Sequence, residues 1–148
     1  MIRTGINIGK LSKVPFFDAL SEEQLKQVAN EAQEFGFEKG ETIKTREETN
    51  TTFWILLYGS WSIKRFLNGT EEPAFYETDK LGSWHGGISI IDVITPVEIK
   101  ATSYSYVMQV NPKLIEKWIQ DGMPIQEHLL KGIGFGGKLL YDHYSSKK

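Results

Sequence analysis

The chain has 148 residues, a formal net charge of −2, 40% hydrophobic and 24% charged residues, and no cysteine. That length suits one domain with a real core, and so small a net charge draws the chain as a whole neither to nucleic acid nor to an anionic membrane. The lack of cysteine excludes disulfides, thiolate metal sites and cysteine nucleophiles.

The first residues hold no apolar secretion core: Ile6 and Ile8 stand among Arg3, Asn7, Gly9 and Lys10. The longest strongly apolar run, Phe53 to Tyr58, is far too short to cross a bilayer. A soluble, cytoplasmic protein without membrane contact is therefore expected. Val14-Pro15-Phe16-Phe17 reads as a rigid apolar lead-in that packs on the core. Ser21 and Gln24 then form a capping box, with Leu20 and Leu25 as its hydrophobic staple. Leu25, Val28, Ala29 and Ala32 repeat at helical spacing, which predicts an amphipathic helix over about 21–33.

From about 34 to 110 the pattern becomes one of short strands, punctuated by Gly36, Gly40, Gly59, Gly69 and Gly82. Phe53 to Tyr58 is continuously apolar, which predicts a strand covered on both faces. Trp61, Ile63, Arg65 and Leu67 alternate with Ser62, Lys64 and Phe66, and Asn68-Gly69 marks a hairpin turn after them. Val97, Ile99 and Ala101 alternate with Glu98, Lys100 and Thr102, and Tyr104 to Val110 reads as a last strand. Strands at this spacing suggest a sandwich or jelly-roll barrel. After Asn111-Pro112 the helical period returns, with Leu114, Ile115, Trp118 and Ile119 on one face, and helices are expected over about 113–144. Gly132, Gly134, Gly136 and Gly137 argue against one unbroken helix there, at roughly 1 kcal/mol each.

This layout resembles the cyclic-nucleotide-binding domain. Val14 to Phe17 with Leu20 to Leu25 is similar to that family's opening helix, and Phe37-Glu38-Lys39-Gly40-Glu41-Thr42-Ile43 to its first strand turn. Phe53 to Ile63 resembles its central strand-glycine-strand element, and Gly82 to Ile91 falls where its phosphate cassette would lie. The resemblance covers about residues 11 to 120 and implies a single domain over 1–148, mainly β with flanking helices, built as a jelly-roll barrel.

In that family, amides at the start of a short helix donate to the cyclic phosphate, an arginine pairs with it, and a glutamate binds the ribose hydroxyl. Aligning Gly86 on the family's glycine puts Gly87 at the glutamate position and Val97, after Pro96, at the arginine position. The amides of Gly87, Ile88 and Ser89 keep the form of an anion cradle, but the side-chain clamp is missing. Glu98 adds a negative charge beside Val97, and strand alternation puts Lys100 on Glu98's face rather than Val97's. The pocket candidates are thus Trp84, His85, Gly86, Gly87, Ile88, Ser89, Val97 and Glu98, with His85 read as a loop residue packed on Trp84, as a donor to a different ligand, or as a pH-sensitive contact.

The resemblance then implies a non-catalytic regulatory or interaction module, of the kind used in signal transduction, that does not bind cAMP or cGMP in the usual way. Its partner is an unidentified small ligand or protein. A true cyclic-nucleotide sensor with an unusual clamp is the first rival, and a cupin-like enzyme the second. The second needs a strand-borne metal cluster, and His85, His128 and His143 cannot supply one. No catalytic residue, metal or cofactor is expected. Gly132 to Gly137 matches G-x-G-x-x-G outside any βαβ unit, a weak signal for a dinucleotide. Its small residues suit a homodimer contact through the C-terminal helices or, equally, a flexible break in the segment. Direct DNA binding is not expected, since no helix-turn-helix fits after the terminal helix.

Overall fold

The computed structural model of the protein describes residues 1–48, 51–66, 74–86 and 96–129. The chain opens with β1 (Ile2–Thr4), α1 (Ile8–Leu11) and α2 (Glu22–Glu31). The capping box forms as expected: Ser21 Oγ accepts from the Gln24 amide at 3.2 Å, and Gln24 Oε1 accepts from the Ser21 amide at 2.9 Å. The helix ends two residues before the predicted boundary. Ala32 is already extended, and Gln33 begins the first long strand because it pairs with Gln109.

The strands that follow are β2 (Gln33–Phe37), β3 (Thr42–Lys44), β4 (Phe53–Tyr58), β5 (Trp61–Arg65), β6 (Ala74–Thr78), β7 (Trp84–His85), β8 (Val97–Ala101) and β9 (Ser105–Val110). They build two antiparallel sheets, one ordered β1-β2-β9-β4-β7 and the other β3-β8-β5-β6. β5 and β6 pair as the predicted hairpin; its Asn68-Gly69 turn lies outside the described residues. Between β4 and β5 stands Gly59, at φ 93°. A Cβ there would run into the Tyr104 carbonyl and Ser105, so only glycine fits.

The first sheet is buried on both faces, as the apolar run in β4 requires. Trp54 and Leu56 point between the sheets, where they meet Phe37, Trp61, Ile63, Val97, Ile99 and Val107. Phe53, Ile55 and Leu57 point the other way, into a layer formed by Phe16, Phe17, Leu25, Val28 and the C-terminal elements. Tyr58 is the exception at 57% exposure. The register slips between Leu56↔Val107 and Tyr58↔Tyr106, so one extra residue in β4 turns Tyr58 out of the interior.

After Asn111, which caps it, α3 (Pro112–Gln120) buries Ile115 and Trp118 on this outer layer. The chain is helical again at 126–129, and Met123, Ile125 and Leu129 complete the layer. The four glycines from Gly132 to Gly137, and the rest of the expected C-terminal helices, lie outside the described residues. Among the described residues, no helix is long and apolar enough to cross a membrane.

Candidate functional site

The described pocket candidates stand on β7, at Gly86 directly after it, and on β8, and the two strands belong to different sheets. β7 pairs with β4 so that His85 faces Trp54 and Trp84 faces Ile55. Because Trp54 points between the sheets and Ile55 away from them, the two neighbours separate: His85 enters the β-roll and Trp84 leaves it. Trp84 stacks on Phe53, with ring centroids 4.8 Å apart and planes 19° apart, and its indole donates to the His128 carbonyl at 3.1 Å. Trp84 therefore ties the cassette strand to the C-terminal segment and does not line the interior.

Gly86 is explained by packing. A Cβ there would lie 2.8 Å from the Phe53 Cα and 2.5 Å from its ring, closer than real contacts allow. Gly87, Ile88 and Ser89, the expected anion cradle, lie outside the described residues.

His85 is only 2% exposed and sits on a strand, not in a loop. Burial pushes its imidazole pKa from 6.5 down to about 3, and the charges of Arg65 and Lys44 push in the same direction. His85 is consequently neutral throughout the physiological range. A contact that switches near neutral pH, one of the two functional roles open to it from sequence, does not fit this environment.

Val97 is 1% exposed and packs in the inter-sheet core. Glu98 faces the other way, and its carboxylate lies 3.7 Å from the Lys100 ammonium on the outer side of β8. Glu98 thus does not act on the interior, and the expected sharing of a face by Glu98 and Lys100 holds.

Two cations near Val97 escaped sequence reasoning. Arg65 lies directly opposite Val97 in the β5–β8 ladder, in phase with the inward-facing Trp61 and Ile63. The backbone tie continues one step further, where the Phe66 amide donates to the Pro96 carbonyl at 2.9 Å. Lys44 is buried on β3, and its ammonium donates to the carbonyls of Val97 (2.9 Å), Glu48 (2.8 Å) and Thr45 (3.0 Å). Burial lowers its pKa, opposed by Glu48 and Glu47. A third cation, Arg46, lies over the Phe66 ring at 4.1 Å. Arg65 and Lys44 thus both meet Val97 through its backbone, and the charges of Glu47 and Glu48 act on Lys44 from the same end of the β-roll. The inward phase of Arg65 was readable from its alternation with Trp61 and Ile63, but its position opposite Val97 needed the strand register. Among the described residues no three His, Asp or Glu side chains gather as a metal site.

The two-sheet roll, with its helical layer on one face, is the fold of the cyclic-nucleotide-binding domain. No family model matches the sequence. Solved structures do match the fold. A regulatory subunit of a cAMP-independent protein kinase A from Trypanosoma brucei superposes with a TM-score of 0.68 at 22% identity, over 95% of this chain and 49% of that one. A variant of the same protein that gains an arginine and loses a glutamate was solved with cAMP bound. A CooA mutant from Carboxydothermus hydrogenoformans gives 0.69 at 13% identity, over 97% and 89% of the two chains. A cAMP-binding acyltransferase from Mycobacterium smegmatis, in mutant form, gives 0.68 at 13% identity, but this chain spans only 38% of it.

Proposed function

We propose that the chain is a non-catalytic regulatory or interaction module whose β-roll does not hold cAMP or cGMP through the usual clamp. The observation that carries this reading is Val97: a buried aliphatic side chain, packed with Ile63 and Ile99, stands where the resemblance calls for an arginine. Loss of one partner of a buried ion pair costs roughly 3–5 kcal/mol, or about two to three and a half orders of magnitude in affinity at about 1.4 kcal/mol per decade. The kinase regulatory subunit described as cAMP-independent, and its arginine-gaining variant with cAMP bound, support the same logic. In this reading residues 1–148 form one domain in the cytoplasm. It answers to another small ligand or to a protein partner, and it pairs with a second copy through its C-terminal helices.

Calorimetric titration with cAMP and cGMP tests this reading. Affinity no better than about millimolar is expected, and a low-micromolar dissociation constant for either nucleotide would sink it. One observation favours a second reading, a sensor with an unusual clamp: Arg65 sits directly across the ladder from Val97. That reading requires the same titration to give micromolar binding, lost on Arg65→Met.

A further inference from the structure

The outer face of the first sheet carries a cavity of about 150 Å3, between the crossing segment at residues 4–14 and the strands beneath it. It lies across that sheet from the β-roll interior and shares no residue with the cassette. The β4 bulge shapes it, because the extra residue brings Leu57 and Tyr58 together to its wall, with Tyr106 opposite Tyr58. The Tyr58 and Tyr106 rings are 5.8 Å apart at 49°, so they form an angled aromatic wall.

Glu34 provides the charge. Register places it between Thr4 and Met108, on the outer face. Its Oε1 accepts from Thr4 Oγ1 at 2.6 Å, which leaves the second carboxylate oxygen without a hydrogen bond among the described residues. Burial raises the Glu34 pKa, opposed by the Thr4 hydrogen bond and by the charge of Lys10. Lys10 is exposed at the rim and forms no ion pair with Glu34 among the described residues. A half-buried carboxylate in a cavity lined by two tyrosine rings is complementary to a cation. The volume sets the size: it is below the roughly 300 Å3 of a drug-sized pocket, and enough for a group of about benzene's bulk.

We propose that this cavity binds an organic ammonium group carried on a short apolar stem. The Glu34 carboxylate takes the ammonium, and Tyr58, Tyr106 and Leu57 enclose the stem. Two sources share this chemistry, a free small amine and a lysine side chain of a partner protein.

The test is a titration of the full chain followed through the backbone amide resonances of Gly5, Leu57 and Tyr106. Butylammonium is the probe, butanol its uncharged isostere, and Nα-acetyl-lysine methylamide the side chain as a protein would present it. Butylammonium is expected to bind with a dissociation constant on the order of millimolar, and butanol at least about tenfold more weakly. Glu34→Gln should weaken butylammonium about tenfold, and Tyr106→Leu about threefold. Lys10→Met removes a competing cation from an exposed position and should tighten binding, which keeps the proposal testable if Glu34→Gln misfolds. Binding of the lysine derivative as tightly as butylammonium assigns the site to a protein side chain, and binding of butylammonium alone assigns it to a free amine. Equal affinity for butanol, an unchanged Glu34→Gln in a folded variant, or weaker binding in Lys10→Met would overturn the proposal.

Discussion

The two faces of the first sheet solve the burial of charge in opposite ways. Between the two sheets, the described nitrogen-bearing groups are held in different ways: Lys44 of the second sheet is satisfied by three carbonyls, Arg65 of the same sheet stands opposite Val97, and His85 of the first sheet is kept neutral. On the outer face an acid, Glu34, is held half-buried with its pKa raised. Desolvation acts on both sides, and it favours the neutral form of each group. The two faces therefore respond to pH with opposite signs, although they share β4 and β9.

That sharing sets the largest expected effect. Trp61 fills the inter-sheet core and Trp118 the outer layer, both fully buried. Truncation of either to alanine should cost about 3–5 kcal/mol. Because β4 and β9 contribute to both cores, urea unfolding of each variant should remain one transition. Two separate transitions would break the view that the layers form a single cooperative unit. A subtler contrast sharpens it. Among the described residues the buried Trp61 Nε1 has no hydrogen-bond partner, whereas the Trp118 Nε1 donates to Glu31 at 3.4 Å. Trp61→Phe removes an unsatisfied donor and should cost less than Trp118→Phe.

Much of this architecture was legible in the sequence, and what was not has a common cause. The unbroken apolar run of β4 announced two covered faces, and Ser21 with Gln24 announced a helix start, because both signals are local. β1 and α1 were missed, since Ile2, Ile6 and Ile8 sit in polar, glycine-bearing sequence and gain their structure from pairing with β2 and packing on the outer layer. The candidate site divides along the same line. Alternation put Glu98 and Lys100 on one face and Val97 on the other, as the structure has them, but the reading of Glu98 as a pocket residue overlooked that this face points outward. The separation of Trp84 from His85 and the meeting of Arg65 with Val97 depend on register between strands distant in sequence. The outer cavity depends on one bulge, for which β4 carries no turn residue as a marker.

The next effect in size belongs to the inner face. His85 has a folded pKa of about 3 against 6.5 when free. Below pH 6.5 the unfolded chain takes up a proton that the folded chain refuses, so stability is full above that value and falls with acidification. At pH 5, about 1.5 units below the free value, the loss is about 2 kcal/mol. Arg65 from β5 and Lys44 from β3 add repulsion to the cost of desolvation. Chemical denaturation at pH 7 and pH 5 should show this slope, and His85→Leu should flatten it. An imidazole that titrates near pH 6.5 by NMR would contradict the buried, neutral assignment.

The smallest effect comes from the outer face and has the reverse sign. The Glu34 pKa is raised by burial, so the folded chain holds its proton more tightly than the unfolded one. The stabilisation is complete below the unfolded carboxylate value and is lost as pH rises through the raised one. At pH 7 the ionised carboxylate is a net cost, kept below about 1 kcal/mol by its partial exposure and solvent screening. Glu34→Gln should then be slightly more stable than the parent at pH 7 and lose that advantage by pH 4, while the hydrogen bond from Thr4 persists to the amide oxygen. A Glu34→Gln chain clearly less stable at pH 7 would mean that the ionised carboxylate is already neutralised in place, most directly by Lys10 reaching in from the rim. Repeating the measurement in Lys10→Met separates the two cases. If Glu34 stands as a desolvated acid, Lys10→Met raises its pKa further and enlarges the gain from Glu34→Gln. If Lys10 already neutralises it, the same change turns the loss into a gain.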